Sequence, residues 1–224
     1  MVVAIDGPAG VGKSSISVEL AGKTGFHYLN SGNFYRAVTY AALRENLDLA
    51  TQSIVESFAA TIQFEYRDGD IYLAGDNITA ELHSDQVDAQ VAQVSSFRGV
   101  REWVNQRLRE ISSRRDIIVE GRDISTVVFP DAELKVFLDA SPEVRARRRF
   151  DQGVSGLSLD EIAEGIRKRD EIDRSKEWGR LVRAEDALYV DTSGLTIEEV
   201  CAKVVRKIHE ITRKNIEETE SKHE

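Results

Sequence analysis

Residues 7–14 read Gly-Pro-Ala-Gly-Val-Gly-Lys-Ser, directly after the mostly β-branched run Val2–Ile5 and at the head of a stretch that reads as a helix over 13–24. That order restricts the fold more than any other feature of the chain. The spacing G-x-x-x-x-G-K-[ST] between a buried strand and a helix is that of a phosphate-binding loop. Glycines let successive backbone N–H groups turn inward around a phosphate, and the helix N-terminus adds a favourable partial charge. On this reading Gly7, Pro8, Ala9, Gly10, Val11, Gly12, Lys13, Ser14 and Ser15 hold a nucleoside triphosphate. Lys13 reaches the β- and γ-phosphates and the Ser14 hydroxyl ligates Mg²⁺. A glycine turn with no ligand is the competing reading. The agreement of loop, lysine, hydroxyl and flanking elements weighs against it.

The remainder of the 224 residues alternates strand and helix signals. Parallel strands are predicted at Val2–Ile5, His27–Leu29, Ile117–Glu120, Lys135–Leu138 and Leu188–Val190, with helical patterns between them. The pattern fits an α/β fold, a five-stranded parallel sheet flanked by helices. Alternation in Ile62–Tyr66, then Asp68-Gly69, then Ile71–Leu73 predicts an antiparallel hairpin turning at Asp-Gly. It belongs to an inserted subdomain over about 31–112. Glycines and serines in 151–158 predict a mobile loop between two arginine-rich helices. Ile197, Val200, Cys201, Val204, Val205, Ile208 and Ile211 form the core face of a C-terminal helix, and the polar last dozen residues are expected to fray.

Composition narrows the partners. A net charge of −9 disfavours general attraction to nucleic acid or an acidic membrane, so an anionic ligand needs a local gathering of cations. No apolar run approaches the roughly 20 residues of a membrane helix, and no signal-peptide pattern opens the sequence. The single cysteine, Cys201, offers no disulfide framework. A cytoplasmic location is the expectation.

Three constellations follow the loop. Ser31, Gly32, Tyr35 and Arg36 open the helix after the second strand, where Ser31 by itself reads as an N-cap. Glu120-Gly121-Arg122-Asp123 lies at the carboxyl end of a buried strand, a position suited to Mg²⁺ or its water shell. There Gly121 is expected to turn the chain sharply. The third is basic: Arg145, Arg147, Arg148 and Arg149 on one helix, then Arg169, Asp173 and Lys176 at i, i+4 and i+7 on the next. Taken singly, most of these arginines read as solvated surface charges. Phosphoryl transfer to a phosphate monoester would use the whole set. That acceptor is already a dianion near neutral pH, because its second pKa is about 6. It needs clustered cations and exclusion of water, and no general base.

Five stretches resemble one family, in family order over residues 2–194: AIDGPAGVGKSS, YLNSGNFYRAVTYAAL, VSSFRGVRE, VEGRDISTVVFPDAELKVFLDASPEVRARRR and RKRDEIDRSK. They resemble bacterial cytidylate kinases, among the nucleoside monophosphate (NMP) kinases. The resemblance implies a P-loop NTPase-type fold and a single kinase domain over 1–224. It implies an NMP-binding subdomain at 31–112 with its insertion at about 62–84, and a short lid at 150–166. It implies transfer of the ATP γ-phosphoryl group to CMP or dCMP with Mg²⁺, by a monomer with no nucleic-acid or membrane partner. Lys13, Arg122, Arg169 and Arg148 would be catalytic. Arg36 and Arg122 would hold the acceptor phosphate beside Ser31, Gly32, Tyr35 and Gly121. Arg101 and Asp123 would read the cytosine edge, and Arg169, Asp173 and Lys176 would bind across sugar and phosphates. Glu120 would reach the metal through water. The chain departs from the family pattern at three places. Asn30 stands where Asp is usual, Ala92 where some members place a base-contacting serine, and Lys176 where arginine is usual. Kinases for AMP, UMP or shikimate share the loop but not the EGRD and RDEID segments. A guanine-nucleotide switch should carry N-K-x-D, which is absent.

Overall fold

The computed structural model describes residues 1–67, 69–151, 153 and 157–220. The elements run β1 (Val2–Asp6), α1 (Lys13–Thr24), β2 (His27–Asn30), α2 (Ser31–Arg44), α3 (Gln52–Ala59), β3 (Phe64–Arg67), β4 (Asp70–Leu73), β5 (Asp76–Asn77), α4 (Asp85–Val94), α5 (Arg98–Ser112), β6 (Ile117–Gly121), β7 (Leu134–Asp139), α6 (Pro142–Asp151), α7 (Leu159–Ser175), β8 (Leu188–Asp191) and α8 (Ile197–Glu220). They divide into two compact units, one of residues 1–28 with 116–224 and one of 29–115.

The first unit is organised by β1. Its residues from Val3 to Asp6 are buried, as a continuous apolar run in a covered parallel sheet must be. It pairs in parallel with β6 on one side and β7 on the other, Ile5 lying between Glu120 and Val136. The five-stranded sheet has the order β2-β6-β1-β7-β8. Ile16 and Leu20 of α1 and Val200, Cys201, Val204 and Ile208 of α8 pack on Val3, Ile5, Ile118, Val136 and Leu138. Cys201 is a small apolar core residue, as expected. Gly25 ends α1 in the left-handed conformation at φ 75°, its N–H returning to the Ala21 carbonyl at 2.9 Å. A second small core joins α6 to α7 through Ala146, Ile162, Ala163 and Ile166.

The second unit packs α2 against α4 and α5, and α3 against α5. Its antiparallel sheet pairs Phe64 with Leu73 and Arg67 with Asp70, which leaves two residues for the predicted turn. Of these, Gly69 has φ 104°, while Asp68 lies outside the described residues. The sheet carries a third strand, β5, that the sequence did not suggest. The chain reaches it through Ala74 at φ 51° and Gly75 at φ 90°, a two-residue connection with both residues left-handed. Alanine is a poor signal for that conformation, so the turn was not legible.

Five local expectations change. Asn30, not Ser31, caps α2; its side chain accepts the Gly32 N–H at 2.9 Å and Ser31 is the first helical residue. Gly121 does not turn the chain but ends β6, paired with Asp6. The turn comes later, in a π-helical segment at Ile124–Val128. Lys176 lies just past α7 with ψ 139°, off the shared helical face. Ile197 is exposed rather than in the core. Finally, α8 continues through Glu220 instead of fraying over the last dozen residues, of which 221–224 lie outside the described residues. Much of the loop predicted to be mobile, residues 152 and 154–156, is outside them too. Among the described residues no helix is long and apolar enough to cross a membrane.

Leu20 is fully buried between sheet and α8. Leu20→Ala is expected to cost about 2–5 kcal/mol of unfolding free energy, read as a lower urea midpoint with an unchanged slope.

Candidate active site

The loop between β1 and α1 is shaped by what its glycines allow. A Cβ on Gly7 would stand 2.2 Å from the Leu138 carbonyl oxygen, so only glycine lets the loop leave β1 beside β7. Gly10 and Gly12 have φ of 81° and 90°, and Gly12 is the residue from which α1 starts. The Lys13 side chain is buried, and its Nζ donates to the carbonyls of Gly7 at 2.8 Å and Pro8 at 2.7 Å. Burial holds its pKa well below that of a free lysine, and the charge of Arg122, with a smaller part from Arg169, pushes the same way. Glu120 and Asp6 oppose the fall. Lys13 therefore shares one electrostatic neighbourhood with both predicted arginines and with Glu120. Ser14 and Ser15 are exposed on the first turn of α1.

Asp6 escaped the sequence reading. It is fully buried at the end of β1 and accepts three hydrogen bonds, from the N–H groups of Ile124 at 2.8 Å and Ser125 at 2.7 Å and from Ser125 Oγ at 2.5 Å. Burial raises its pKa, and those bonds to Ser125 and Ile124 temper the rise. The carboxylate thus holds the start of the π-helical turn that follows Arg122 and Asp123. Glu120, buried near the end of β6, accepts a hydrogen bond from the Tyr28 hydroxyl. Asp123 is buried as well.

From α7, Asp173 accepts from Arg122 Nε at 3.0 Å and from Lys176 Nζ at 2.8 Å. Burial alone would raise its pKa, but the cations of Arg122 and Lys176 hold it below the usual carboxylate range. Lys176 thus reaches Asp173 although it lies beyond the helix. Arg148 spans to Thr192, donating to its Oγ1 at 3.0 Å and its carbonyl at 2.5 Å. Arg145, which reads in the sequence as one more surface charge, is the largest fully buried side chain and forms a two-pronged ion pair with buried Asp170. No periodicity distinguishes it from its neighbours.

The other predicted residues belong to the second unit. Ser31 and Tyr35 are buried on α2. Arg36 pairs with Asp88 and donates to the Leu82 carbonyl at 3.0 Å. The Arg101 guanidinium stands 5.3 Å from the Tyr35 ring centre, and its Nη1 donates to the Ser95 carbonyl at 3.0 Å. Ala92 is exposed on α4. Among the described residues no three His, Cys, Asp or Glu side chains gather as a metal cage.

A parallel sheet of this strand order, with a glycine-rich lysine loop joining its central strand to the first helix, defines a P-loop α/β protein. Shikimate kinase from Bacteroides thetaiotaomicron shares the fold, with a TM-score of 0.50 at 15% identity over 93% of this chain and 98% of that one. An uncharacterized protein from Eubacterium ventriosum does so at TM-score 0.53 and 7% identity. The finer assignment comes from sequence. The cytidylate kinase profile matches residues 3–210, and the chain belongs to that family. Cytidylate kinase from Borrelia hermsii is 41% identical over 211 residues, covering 92% of this chain and 97% of its own. That from Clostridioides difficile is 40% identical, covering 93% and 98%.

Two outcomes follow from this geometry. Gly7→Ala is expected to displace the loop from Leu138, lowering the melting temperature and abolishing nucleotide-induced thermal stabilisation. Asp173→Asn removes a carboxylate whose pKa is depressed on folding. The stability Asp173 contributes is fully present above its unfolded pKa of about 3.9 and is lost as pH falls through the lower folded value. Urea titrations are expected to show the variant less stable at pH 7, on the order of 2 kcal/mol, with the difference shrinking below about pH 4.

Proposed function

We propose that this chain transfers the γ-phosphoryl group of ATP to CMP or dCMP, giving ADP and CDP or dCDP. The observation that carries the reading is the glycine loop after β1, with Gly10 and Gly12 at φ 81° and 90° and the Lys13 side chain buried within it, in the same unit as an Arg122 held by Asp173. Family membership supports the cytidine acceptor. An oxygen of the acceptor phosphate attacks the γ-phosphorus in line, and the bond from that phosphorus to the β–γ bridging oxygen breaks, so ADP leaves with the electron pair. The acceptor dianion needs no base. Lys13, Arg122 and Arg169 are read as the cations that oppose charge in the transition state, and Arg148, the fourth residue the resemblance marks as catalytic, is read as acting through Thr192, to which it donates.

The loop from Gly7 to Ser15 is the proposed donor site. Ser31, Gly32, Tyr35, Arg36, Arg101, Gly121, Arg122, Asp123, Arg169, Asp173 and Lys176 are the proposed acceptor residues. Asp123 can accept from the exocyclic amine of cytosine, which uracil lacks. The available metal donors, the exposed Ser14 hydroxyl and the Glu120 carboxylate, are hard oxygens too few for a protein cage. That suits Mg²⁺, which keeps waters and leans on substrate phosphates. When bound, it would neutralise the donor phosphates, with Ser14 as ligand and Glu120 acting through water. We read the chain as one kinase domain over 1–224, with 31–112 binding the monophosphate and 150–166 as lid. We further propose a cytoplasmic monomer of pyrimidine nucleotide metabolism, with no nucleic-acid or membrane partner.

ADP release is measured with Mg-ATP and CMP, dCMP, UMP, AMP or GMP. Stimulation by CMP and dCMP is the expected result. UMP turnover at a similar rate would show that Asn30 and Ala92 relax base choice, and ADP release without acceptor would overturn the reading. Lys13→Ala is expected to lower kcat by at least about 10²-fold while the protein remains folded by circular dichroism.

A further inference from the structure

Four of the loop's carbonyls, those of Gly7, Pro8, Ala9 and Val11, are held by side chains. Lys13 takes those of Gly7 and Pro8. Arg145 Nη1 donates to the Ala9 carbonyl at 3.1 Å. Thr192 Oγ1 stands 3.3 Å from the Val11 carbonyl and 3.1 Å from that of Asp139, its one proton shared between them. A peptide unit is planar and trans, so fixing a carbonyl sends the next N–H the opposite way. Holding Ala9 O sets the direction of the Gly10 N–H, and holding Val11 O sets that of Gly12. Gly10 and Gly12 lie in the left-handed region at φ 81° and 90°, which glycine adopts without steric cost.

Arg145 is built for that task. It is 1% exposed, and its Nε donates to the Ala140 carbonyl at 2.9 Å while its other nitrogens meet Asp170 at 3.0 and 2.5 Å. Joining α6 to α7 does not require this pair, because Ala146, Ile162, Ala163 and Ile166 already do so. Nor does stability by itself, since buried ion pairs are commonly replaced by apolar residues without loss. What an apolar pair could not supply is a donor to the Ala9 carbonyl. A Cβ on Gly10 would come within 3.3 Å of Arg145 Cβ, so the loop is seated on this residue. One helical turn on, Arg148 does for Thr192 what Asp170 does for Arg145, fixing it through two hydrogen bonds.

We infer that Arg145, backed by Asp170, and Thr192, backed by Arg148, are positioning residues that aim the Gly10 and Gly12 N–H groups at the donor phosphates. This rests on the donor site proposed above. It makes two α6 arginines loop clamps that act through the backbone. ATP and CMP binding are measured separately by calorimetry on the wild type, Arg145→Met/Asp170→Leu, Arg145→Lys and Thr192→Val, with melting curves and the KM for each substrate.

The double variant is expected to stay folded but to melt lower than wild type, because its apolar pair fills the buried site while the Ala140 and Ala9 carbonyls lose their Arg145 donor. Its ATP affinity is expected to fall about tenfold or more while CMP affinity stays within about twofold. Arg145→Lys, which keeps the charge but cannot reach all its partners, is expected to fall between. Thr192→Val is expected to weaken ATP about threefold. A folded double variant that binds ATP within twofold of wild type overturns the inference. Should the Arg145 variants not fold, unchanged ATP affinity in Thr192→Val overturns it. Wild type that binds ATP but does not turn over CMP would defeat the acceptor reading alone, and the ATP titrations would still decide the clamp.

Discussion

The hydrogen bonding of β1 on both edges is the constraint from which the rest of the first unit follows. A strand with β6 on one side and β7 on the other must be apolar along its length, and Val3 to Asp6 are buried. The same pairing sets three chain ends side by side: Asp6 opening the loop, Gly121 after Glu120, and the end of β7 near Leu138. Chains leaving neighbouring strands in different directions create the crevice in which α/β sheets bind ligands. The close approach of Leu138 O is why Gly7 cannot carry a side chain.

Charge is then arranged against the chain's overall sign. A molecule of net charge −9 holds Lys13, Arg122, Arg169 and Lys176 near one another by interleaving carboxylates. Asp173 lies between two of these cations, Glu120 and Asp6 act on Lys13, and Asp170 answers Arg145. Three of these carboxylates also fix a direction: Asp173 and Asp170 that of a guanidinium, Asp6 that of a turn. Hydrogen bonds to Asp173 and Asp170 orient Arg122, Lys176 and Arg145, and oriented charge is what electrostatic stabilisation of a transition state demands.

Much of this was legible in the sequence because it is local. The loop's spacing, the strand before it and the helix after it occupy one short stretch, and so do the Glu120-Gly121-Arg122-Asp123 segment and the β3–β4 hairpin. Even these had limits. Asn30 took the cap that Ser31 seemed to offer, since an N-cap is set by which residue stays extended as the helix begins, here Asn30 at ψ 105°. Gly121 stayed in β6 because it has a partner strand to pair with, and the turn moved to a π-helical segment stabilised by a carboxylate 118 residues away at Ile124.

The sequence by itself determined the fold class, the phosphate loop and the family, because each is written in residue order and spacing. Only the tertiary structure decided which charges are buried and what they hold. Arg145 and Arg147 are near-identical in one-dimensional context, yet one is 1% exposed against Asp170 and the other lies at the surface beside Asp151. Asp6 reads as the polar end of a strand until the turn after Asp123 closes over it. Burial and hydrogen-bond partners depend on elements distant in the chain, and no local pattern carries them.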